Sequence, residues 1–562
     1  MNTKYKHLLF FSILLFIGAE SSIAQSLSLN KQTLNDYYRR QQLLGNVDST
    51  LSFTSRPIYS ETLGKKDLFD PENSLDNSSL HKFDGSFFFH KRRGQFTLLP
   101  VSMLNQYNSH HPEGINDGSM IPARSAQMRA DLGFYFKYSL LSITFNPELV
   151  YAHNKLFDGF PSGNKTTLNM QFPKSIGTHR IDLPERFGGF HYTKFFLGQS
   201  SVRLTYKPIS IGLSSENLWW GPGYKNSLLM TNSSSGFLHL TLNTVRPVKT
   251  PIGSFEGQII AGKLEDSGYT EGLPEDWRYL NAMVMSYQPR WVPGLFLGFT
   301  RSFMTYSEDM GSGFADYLPV LSFLSKSSGG SNEDVDSQRQ DQRISLFARW
   351  LFPESHAEIY FEFGREDHSW DLRDFLMEPT HSSAYILGAH KLLGFKGKRY
   401  FQVRGEIARF AESQTTINRN QAYKYPASPG WYYHGQINHG YTQKGQLLGA
   451  GIDPGSNTQT LEVSWNKGLK QVGIEFERYV HNNNFWYNYI KDFRANWVDL
   501  STSVFANWDY KNFLVYGKIK LVSSRNYQWL YEPAWNEVQA DYWTHPNNTF
   551  NLHTQLGISY RF

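Results

Sequence analysis

The sequence predicts an all-β protein, a large antiparallel transmembrane β-barrel of the outer-membrane type, on three observations. The chain opens like a secretory leader, it has no cysteine, and apolar residues alternate with polar ones from about residue 85 onward. Roughly 470 residues at about 10 per strand, plus turns and longer outer loops, predict ~16–18 strands. A short helical segment is expected ahead of the barrel.

Residues 1–24 have the layout of a signal peptide. Lys4 and Lys6 form a short basic start, an apolar run extends from Leu8 to Ala19, and Ser22-Ile23-Ala24 offers a cleavage site. The apolar run is too short and too early for a stable spanning helix. The alternative is an uncleaved N-terminal anchor. After this leader no run of 18 apolar residues occurs, so no later helix is expected to cross a membrane.

The composition suits a membrane barrel better than a soluble enzyme. Aromatic residues make up 16% of the chain, while its mean hydropathy is −0.47. Lipid-facing and lumen-facing residues alternate in a barrel, so many rings can coexist with a polar average. An array of soluble β-sandwiches stays open on composition alone. The absence of cysteine excludes disulfides and thiolate metal sites, and 55 basic against 50 acidic residues do not indicate nucleic-acid binding.

Residues 25–90 differ from the barrel region at 91–562. The stretch from Lys31 to Leu44 contains no Gly or Pro, and its apolar residues fall near a helical period. Gly45 is a typical helix stop. The sequence therefore predicts a helix over 31–44, followed by loops that are rich in Ser, Asn and Asp.

The predicted strands carry one apolar face and one charged face. Ile359 and Phe361 alternate with Glu358, Tyr360 and Glu362. Similar alternation occurs at 401–407, 472–477 and 513–521, and Gly- and Ser-rich stretches such as 326–332 are typical of outer loops.

The last strand alternates from Leu552 to Phe562 and ends on an aromatic residue. Such a terminus resembles the signal by which bacterial outer-membrane barrels are recognised for insertion, which predicts the barrel-assembly machinery as a partner of the Phe562 strand. A soluble protein that happens to end on a strand is the alternative.

The most specific motif lies at residues 216–232. It reads Glu216-Asn217-Leu218-Trp219-Trp220-Gly221-Pro222-Gly223-Tyr224-Lys225-Asn226-Ser227-Leu228-Leu229-Met230-Thr231-Asn232. This segment resembles the ENLWWGPG…NSLL signature of Wzi-type capsule assembly proteins. Other segments that fit the family pattern lie at 181–188, 198–200, 246–247, 253–256, 362–367 and 449–456, the last with Asp453 where the family pattern has glycine. The resemblance covers roughly residues 95–562.

The resemblance implies an outer-membrane barrel with a small helical element on the periplasmic side. It also implies lectin-like attachment of capsule to the cell surface. The sequence contains no HExxH, Gly-x-Ser-x-Gly or P-loop motif, so we expect no enzymatic activity, no cofactor and no metal. The expected partners are capsular polysaccharide and outer-membrane lipid, the expected state is a monomer, and no nucleic acid is expected. The predicted helix is much shorter than a helical bundle, which argues against a well-formed periplasmic domain.

Two groups of residues are candidates for glycan contact. Tryptophan offers a flat amphipathic surface to a sugar ring, and amides supply hydrogen bonds. Gly221-Pro222-Gly223 predicts a turn at the end of a strand. Adjacent Trp residues on a strand face opposite ways, so at most one of this pair could belong to an aromatic girdle in the membrane interface. The first group is Trp219, Trp220, Asn217, Asn226 and Asn232.

The second group lies in a predicted outer loop. Rings at Tyr423 and Tyr425 precede it, and the alternative is a loop that packs its own rings inside the barrel mouth. The group is Trp431, Tyr432, Tyr433 and His434.

Three functions follow from these features. The leading one is a non-enzymatic protein that binds capsular polysaccharide and attaches capsule. A porin or polysaccharide export channel would need an open lumen, which Glu475, Glu477, Lys518 and Lys520 could line. An outer-membrane hydrolase would need a spaced carboxylate pair, which adjacent acids at 358–367 do not by themselves provide. His110-His111 lack the spacing of a metal-binding motif.

Overall fold

A computed structural model describes most of the chain. The described residues are 25–64, 67–75, 85–90, 93–159, 181–270, 272–324, 340–366, 376–377, 379–422, 430–487, 496–529 and 547–562. The predicted leader at 1–24, the predicted outer loop at 326–332 and the rings of Tyr423 and Tyr425 lie outside these residues.

Within the described residues, eighteen antiparallel strands form a closed barrel. They are β1 (Gly94–Asn108), β2 (Ser125–Tyr138), β3 (Leu141–Phe145 and Glu148–Ala152), β4 (Tyr192–Phe196 and Ser201–Tyr206), β5 (Ile209–Ser214), β6 (His239–Thr244 and Val248–Thr250), β7 (Gly253–Leu264), β8 (Arg278–Pro289), β9 (Leu295–Tyr306), β10 (Asp341–Phe352), β11 (Ala357–Glu366), β12 (Ser383–Lys396), β13 (Arg399–Arg409), β14 (Asn457–Lys467), β15 (Lys470–Val480), β16 (Val498–Tyr510), β17 (Phe513–Arg525) and β18 (Thr549–Tyr560). β18 closes the barrel on β1, with Tyr560 opposite Val101. The predicted fold class and strand number are confirmed.

The two faces of the wall explain the alternation in the sequence. On β11 the side chains of Ile359 and Phe361 are 49% and 43% exposed, whereas Glu358 and Glu362 are buried in the interior. Each strand pairs with both neighbours, so a closed barrel can offer an apolar outer surface to lipid without an open backbone edge. The apolar residues therefore point outward and the charged ones point into the lumen.

The two ends of the barrel differ in the length of their connections. Tight turns join strands at one end, at 139–140, 207–208, 397–398, 468–469 and 511–512. The other end carries the long connections, among them 109–124, 410–456 and 526–548. In bacterial outer-membrane barrels the short turns face the periplasm and the long loops face outward.

A helix spans Gln32–Leu43, close to the predicted 31–44, and it lies inside the short-turn end of the barrel. Leu34 and Tyr38 share an apolar cluster with the wall residues Leu99 and Leu514. The shorter helical segments are Ser60–Leu63, Phe314–Tyr317, Gln414–Ala422 and Asn483–Phe485, with 3-10 turns at Pro319–Leu324, Pro353–Ser355 and Tyr527–Trp529. In the described ranges no helix is both long and apolar enough to cross a membrane.

Two further segments fill the lumen beyond the helix. The connection 215–238, between β5 and β6, and residues 430–456, between β13 and β14, share one apolar cluster with the wall. Leu228 of the first segment and Tyr432 of the second both belong to this cluster, and neither is solvent-exposed. The interior is therefore packed by the protein's own connections.

Deletion of Phe562 should reduce assembly of the barrel several-fold, because β18 closes the wall and this aromatic residue lies just beyond it, at the end of the sequence. The ring of Phe562 lies 5.2 Å from that of Tyr560, centroid to centroid. The measurement is the amount of folded, heat-modifiable protein in outer-membrane fractions. Phe550→Ala, at the other end of the same strand and on an exposed side chain, is the matched control. Normal levels of folded protein without Phe562 would contradict the interpretation of the terminus.

Candidate functional site

The Trp-Trp-Gly-Pro-Gly segment lies inside the barrel, within the connection 215–238. Trp219 and Trp220 form a short strand that pairs with Arg56 and Ser55 of the N-terminal segment. The N–H of Gly221 then donates to the carbonyl of Thr54 at 2.8 Å. The predicted turn therefore follows a strand, but this strand is not part of the barrel wall. It belongs to the segments that fill the lumen, residues 25–64, 215–238 and 430–456, which together we call the plug.

Both tryptophan rings are buried, with 4% of Trp219 and 0% of Trp220 exposed. The guanidinium of Arg56 lies over the ring of Trp219, 4.4 Å from its centroid. Trp220 Nε1 donates to Gln258 Oε1 of β7 at 3.0 Å. Neither ring faces lipid, so the girdle alternative is wrong for both. Neither offers a free face to a sugar in this conformation, and the structure instead favours a packing role.

Buried glutamates of the wall accept hydrogen bonds from the backbone of the same motif. Glu406 of β13 accepts from the N–H of Tyr224 at 2.7 Å and from that of Asn226 at 2.9 Å. Glu362 of β11 accepts from the N–H of Leu228 at 3.4 Å. A buried carboxylate needs such donors because it has lost its water. The backbone N–H groups of the motif thus take the place of water around the carboxylates of Glu406 and Glu362.

Arginines hold the carbonyl side of the same turn. Arg39 of the N-terminal helix donates through Nη2 to the carbonyl of Pro222 at 2.8 Å. Its Nε donates to Glu358 of β11 at 2.7 Å, and Arg349 of β10 donates to the other oxygen of that carboxylate, also at 2.7 Å. Helix, motif and wall are therefore joined in one buried network of hydrogen bonds and ion pairs.

At two positions of the motif the backbone lies so close to neighbouring atoms that only glycine fits. Gly221 has a φ of 133°, and a Cβ there would lie 2.7 Å from an oxygen of Glu362. A Cβ on Gly223 would lie 1.8 Å from the carbonyl oxygen of Asn226. Any side chain at either position would push the turn away from the carboxylates that hold it.

A cavity of about 210 Å³ remains between the helix, the motif and the wall. Lys225 Nζ lies 2.9 Å from a carboxylate oxygen of Glu475 and 2.9 Å from one of Glu477. Lys518 pairs with Glu475 at 3.2 Å, and Lys520 pairs with Glu477 at 2.8 Å. These side chains face the lumen, as predicted, and they pair with one another around the cavity.

The three asparagines of the first candidate group have separate surroundings. The side chain of Asn217 donates to the carbonyl of Ser234 at 2.6 Å and is buried. Asn226 and Asn232 both line the cavity. The whole first candidate group lies in the connection 215–238. Within this group, Asn226 and Asn232 face the cavity.

The second candidate group lies in the mouth of the barrel. Tyr432 is fully buried, and its N–H donates to Glu366 while its hydroxyl donates to the carbonyl of Leu228 at 2.8 Å. Trp431 is 1% exposed, and its Nε1 donates to the carbonyl of Ser382 at 3.0 Å. The loop thus packs these two rings inward, and the structure does not support direct glycan contact for them.

Tyr433 and His434, which follow directly, are partly exposed. They are the ring-bearing members of the second group that remain accessible.

Comparison with known proteins gives the family. The sequence profile of the capsule assembly protein Wzi family matches residues 105–524. The chain belongs to the capsule assembly protein Wzi family. The predicted resemblance is confirmed, and the matched range includes the motif loop, the wall glutamates that hold it and the loop at 430–456. No curated protein sequence matches the chain at a significant level.

Solved structures match this chain at low sequence identity. One is Wzi, an outer-membrane protein involved in group 1 capsule assembly in Escherichia coli and described as a carbohydrate-binding β-barrel. It matches with a TM-score of 0.58 and 11% identity over 96% of this chain and 100% of that chain. Acinetobacter baumannii OccAB1 and OccAB4 match with TM-scores of 0.40 and 0.36, at 8% and 10% identity, over 83% of this chain in each case and 96% and 97% of their own.

The sequence analysis missed the partners of the buried charges in this Wzi-family barrel. The sequence placed Arg39 in a predicted helix and indicated no partner for it. In the structure its guanidinium donates hydrogen bonds to Glu358 and to the carbonyl of Pro222 in the motif. Arg278 of β8 donates to the carbonyl of Gly440 at 2.8 Å and so ties the long connection to the wall. The period-two pattern marks such side chains as inward-facing, but no sequence signal identifies what they bond.

Replacing Glu406 with Gln should lower the free energy of unfolding by about 2–4 kcal/mol, since it removes a buried carboxylate from its donors. Strand content measured by circular dichroism should stay unchanged. The measurement is the urea midpoint of the protein in detergent micelles. Glu354→Gln, on an exposed turn, should change the free energy by less than about 0.5 kcal/mol. Equal midpoints for both variants would show that the motif is not held by this carboxylate.

His439, in the long connection, should make the folded protein sensitive to acid. Burial, with the charge of Arg278 adding to it, lowers the pKa of His439 to about 4 from an ordinary value of 6.5. Its Nδ1 shares a hydrogen bond of 2.9 Å with the hydroxyl of Tyr306. In the unfolded chain His439 is protonated below about pH 6.5, whereas in the folded chain it stays neutral down to about pH 4. The free energy of unfolding therefore falls as the pH drops from about 6.5 to about 4.

The corresponding measurement is the thermal midpoint from pH 7 to pH 4. His439→Gln retains a side chain that can donate to or accept from the tyrosine hydroxyl, and it should flatten this part of the curve. An unchanged slope in the variant would assign the acid sensitivity to other groups.

Proposed function

We propose that this chain binds capsular polysaccharide at the outer membrane and attaches or assembles capsule at the cell surface, without catalysing a reaction. The observation that carries the proposal is a Wzi-family barrel whose interior is filled by its own connections. A filled barrel offers its long connections as a binding surface at one end. The likeness to a barrel described as carbohydrate-binding supports the same assignment.

Delivery to the membrane belongs to the proposal as well. The leader at 1–24 would direct secretion and be removed before Gln25, and the β18 terminus at Phe562 would be recognised by the barrel-assembly machinery. The outward apolar side chains would then contact outer-membrane lipid, and a monomer suffices because the wall is closed. Residues 25–90 would belong to the periplasmic end of the barrel, where the short turns are and where the N-terminal helix enters the lumen.

We place glycan contact on the end of the barrel that carries the long connections. Tyr433 and His434 are partly exposed there, and a ring beside a hydrogen-bonding group suits a sugar. In this proposal Trp219 and Trp220 act indirectly, because they hold the plug that supports those connections. Asn226 and Asn232 would contact a glycan only if it entered the cavity.

The competing functions have less support. An export channel needs a passage, whereas in the described residues the lumen contains the helix and the packed connections with a cavity of about 210 Å³ between them. A hydrolase needs a carboxylate that is free to exchange a proton or attack a sugar. Glu358 is instead paired with two arginines, and Glu362 accepts hydrogen bonds from the motif.

Deleting the gene should leave polysaccharide synthesis intact and move capsule from the cells into the medium. The measurement is the split of capsular polysaccharide between cell pellet and medium. The double variant Tyr433→Ala, His434→Ala should shift the same split several-fold while the barrel reaches the outer membrane normally. Tyr510→Ala, an exposed ring beside a short turn at the opposite end, is the matched control.

An unchanged split in the deletion strain would rule out attachment for this chain, and planar-bilayer conductance would then test the channel. If capsule moves into the medium in the deletion strain but not in the double variant, the attachment function stands, and Tyr433 and His434 are not the residues that contact the glycan.

A further inference from the structure

One imidazole and two carboxylates meet where the connection 109–124 touches the barrel wall. A ligand atom from each of His111, Glu113 and Asp499 lies within 4.8 Å of the other two. Two of the three side chains are almost fully buried, with 4% exposure for both His111 and Asp499. We propose that this cluster is a zinc site that joins the connection to β16 at the long-loop end of the lumen.

The imidazole of His111 is available to bind a metal. Its Nδ1 lies 3.2 Å from Nδ1 of His110, and its Nε2 is buried without a hydrogen-bond partner. The ring is held from one side by Tyr527, with a centroid separation of 4.8 Å. A buried polar atom without a partner costs free energy, and a bound cation would remove that cost.

The carboxylate of Asp499 is oriented by two neighbours. Trp497 Nε1 donates to one oxygen at 2.9 Å, and His481 Nε2 lies 2.8 Å from the other. His481 is itself stacked between the rings of Tyr479 and Trp497, at centroid separations of 3.9 and 3.7 Å. Ligands of protein-bound metals are commonly held by such outer partners, which fix their direction before the metal arrives.

Glu113 currently pairs with Lys520, which is the cation that a metal would displace. Lys520 also pairs with Glu477 at 2.8 Å, so it keeps a counter-charge after displacement. Exchange of an ammonium for a divalent ion therefore leaves no lysine unpaired.

The chemistry of the donor set selects zinc. Imidazole nitrogen with carboxylate oxygen is a usual zinc set, whereas calcium and magnesium prefer oxygen alone. Zinc bonds of about 2.0–2.1 Å in a tetrahedron place ligand atoms ~3.3 Å apart. The observed spacing allows this after side-chain rotations that bring the atoms closer by at most about 1.5 Å. Three protein ligands leave the fourth position for water.

The test uses the full chain in detergent micelles after treatment with a chelator, and Zn²⁺ alone as the probe. Isothermal titration should give one equivalent of zinc, and the thermal midpoint should rise with zinc concentration because a ligand of the folded state stabilises it. Calcium in tenfold excess should leave zinc binding unchanged. Absence of zinc binding in the wild-type protein, or displacement of zinc by calcium, would overturn the assignment.

Two variants locate the site, and a third is the control. His111→Gln and Glu113→Gln should each reduce zinc affinity at least tenfold and abolish the rise in thermal midpoint. Glu113 is partly exposed, so its variant remains informative if the histidine variant fails to fold. His439→Gln removes another buried imidazole whose Nε2 has no hydrogen-bond partner, outside the cluster, and should keep the full equivalent. Unchanged binding in both cluster variants would overturn the proposal, whatever the capsule measurements show.

Discussion

The structure depends on the need to neutralise charge inside a closed barrel. Strand alternation places apolar side chains on the outer face of the wall, and the same alternation forces Glu358, Glu362 and Glu406 into the interior, where each is almost fully buried. A buried carboxylate is tolerated only with cations or several hydrogen-bond donors around it. The N-terminal helix and the motif loop supply those donors, so the plug and the wall stabilise each other.

This constraint explains the features of the family signature. The turn at Gly221 and Gly223 brings backbone N–H groups against the wall carboxylates, and a Cβ at either position would prevent that approach. Trp219 and Trp220 fill the space between this turn, the N-terminal segment and β7. In this structure the residues of the signature fill the lumen. Its two tryptophans pack against the protein and do not face a glycan.

A filled lumen also bears on how such a barrel could act on a polymer. The long connections are tied to the wall by buried contacts, such as those of Arg278 with Gly440 and of Tyr432 with Glu366. Residues 430–456 are therefore held against the wall, and a surface that is ordered in advance loses less entropy when a flexible polysaccharide binds. The same contacts argue against passage of a polymer through this part of the lumen.

Patterns between near neighbours in the chain are enough to predict the fold class, the inward and outward faces of the strands and the helix near residues 31–44. The family also followed from the sequence, through an ordered motif at 216–232. Only the tertiary structure shows which candidate glycan-binding residues are accessible. Trp220 and Tyr432 have aromatic side chains of the kind that bind sugars, yet both are completely buried. The tertiary structure also decided the pairing of Arg39 with Glu358 and the meeting of His111 with Asp499. Closing the barrel brings such distant residues together, and no local period in the sequence records which ones will meet.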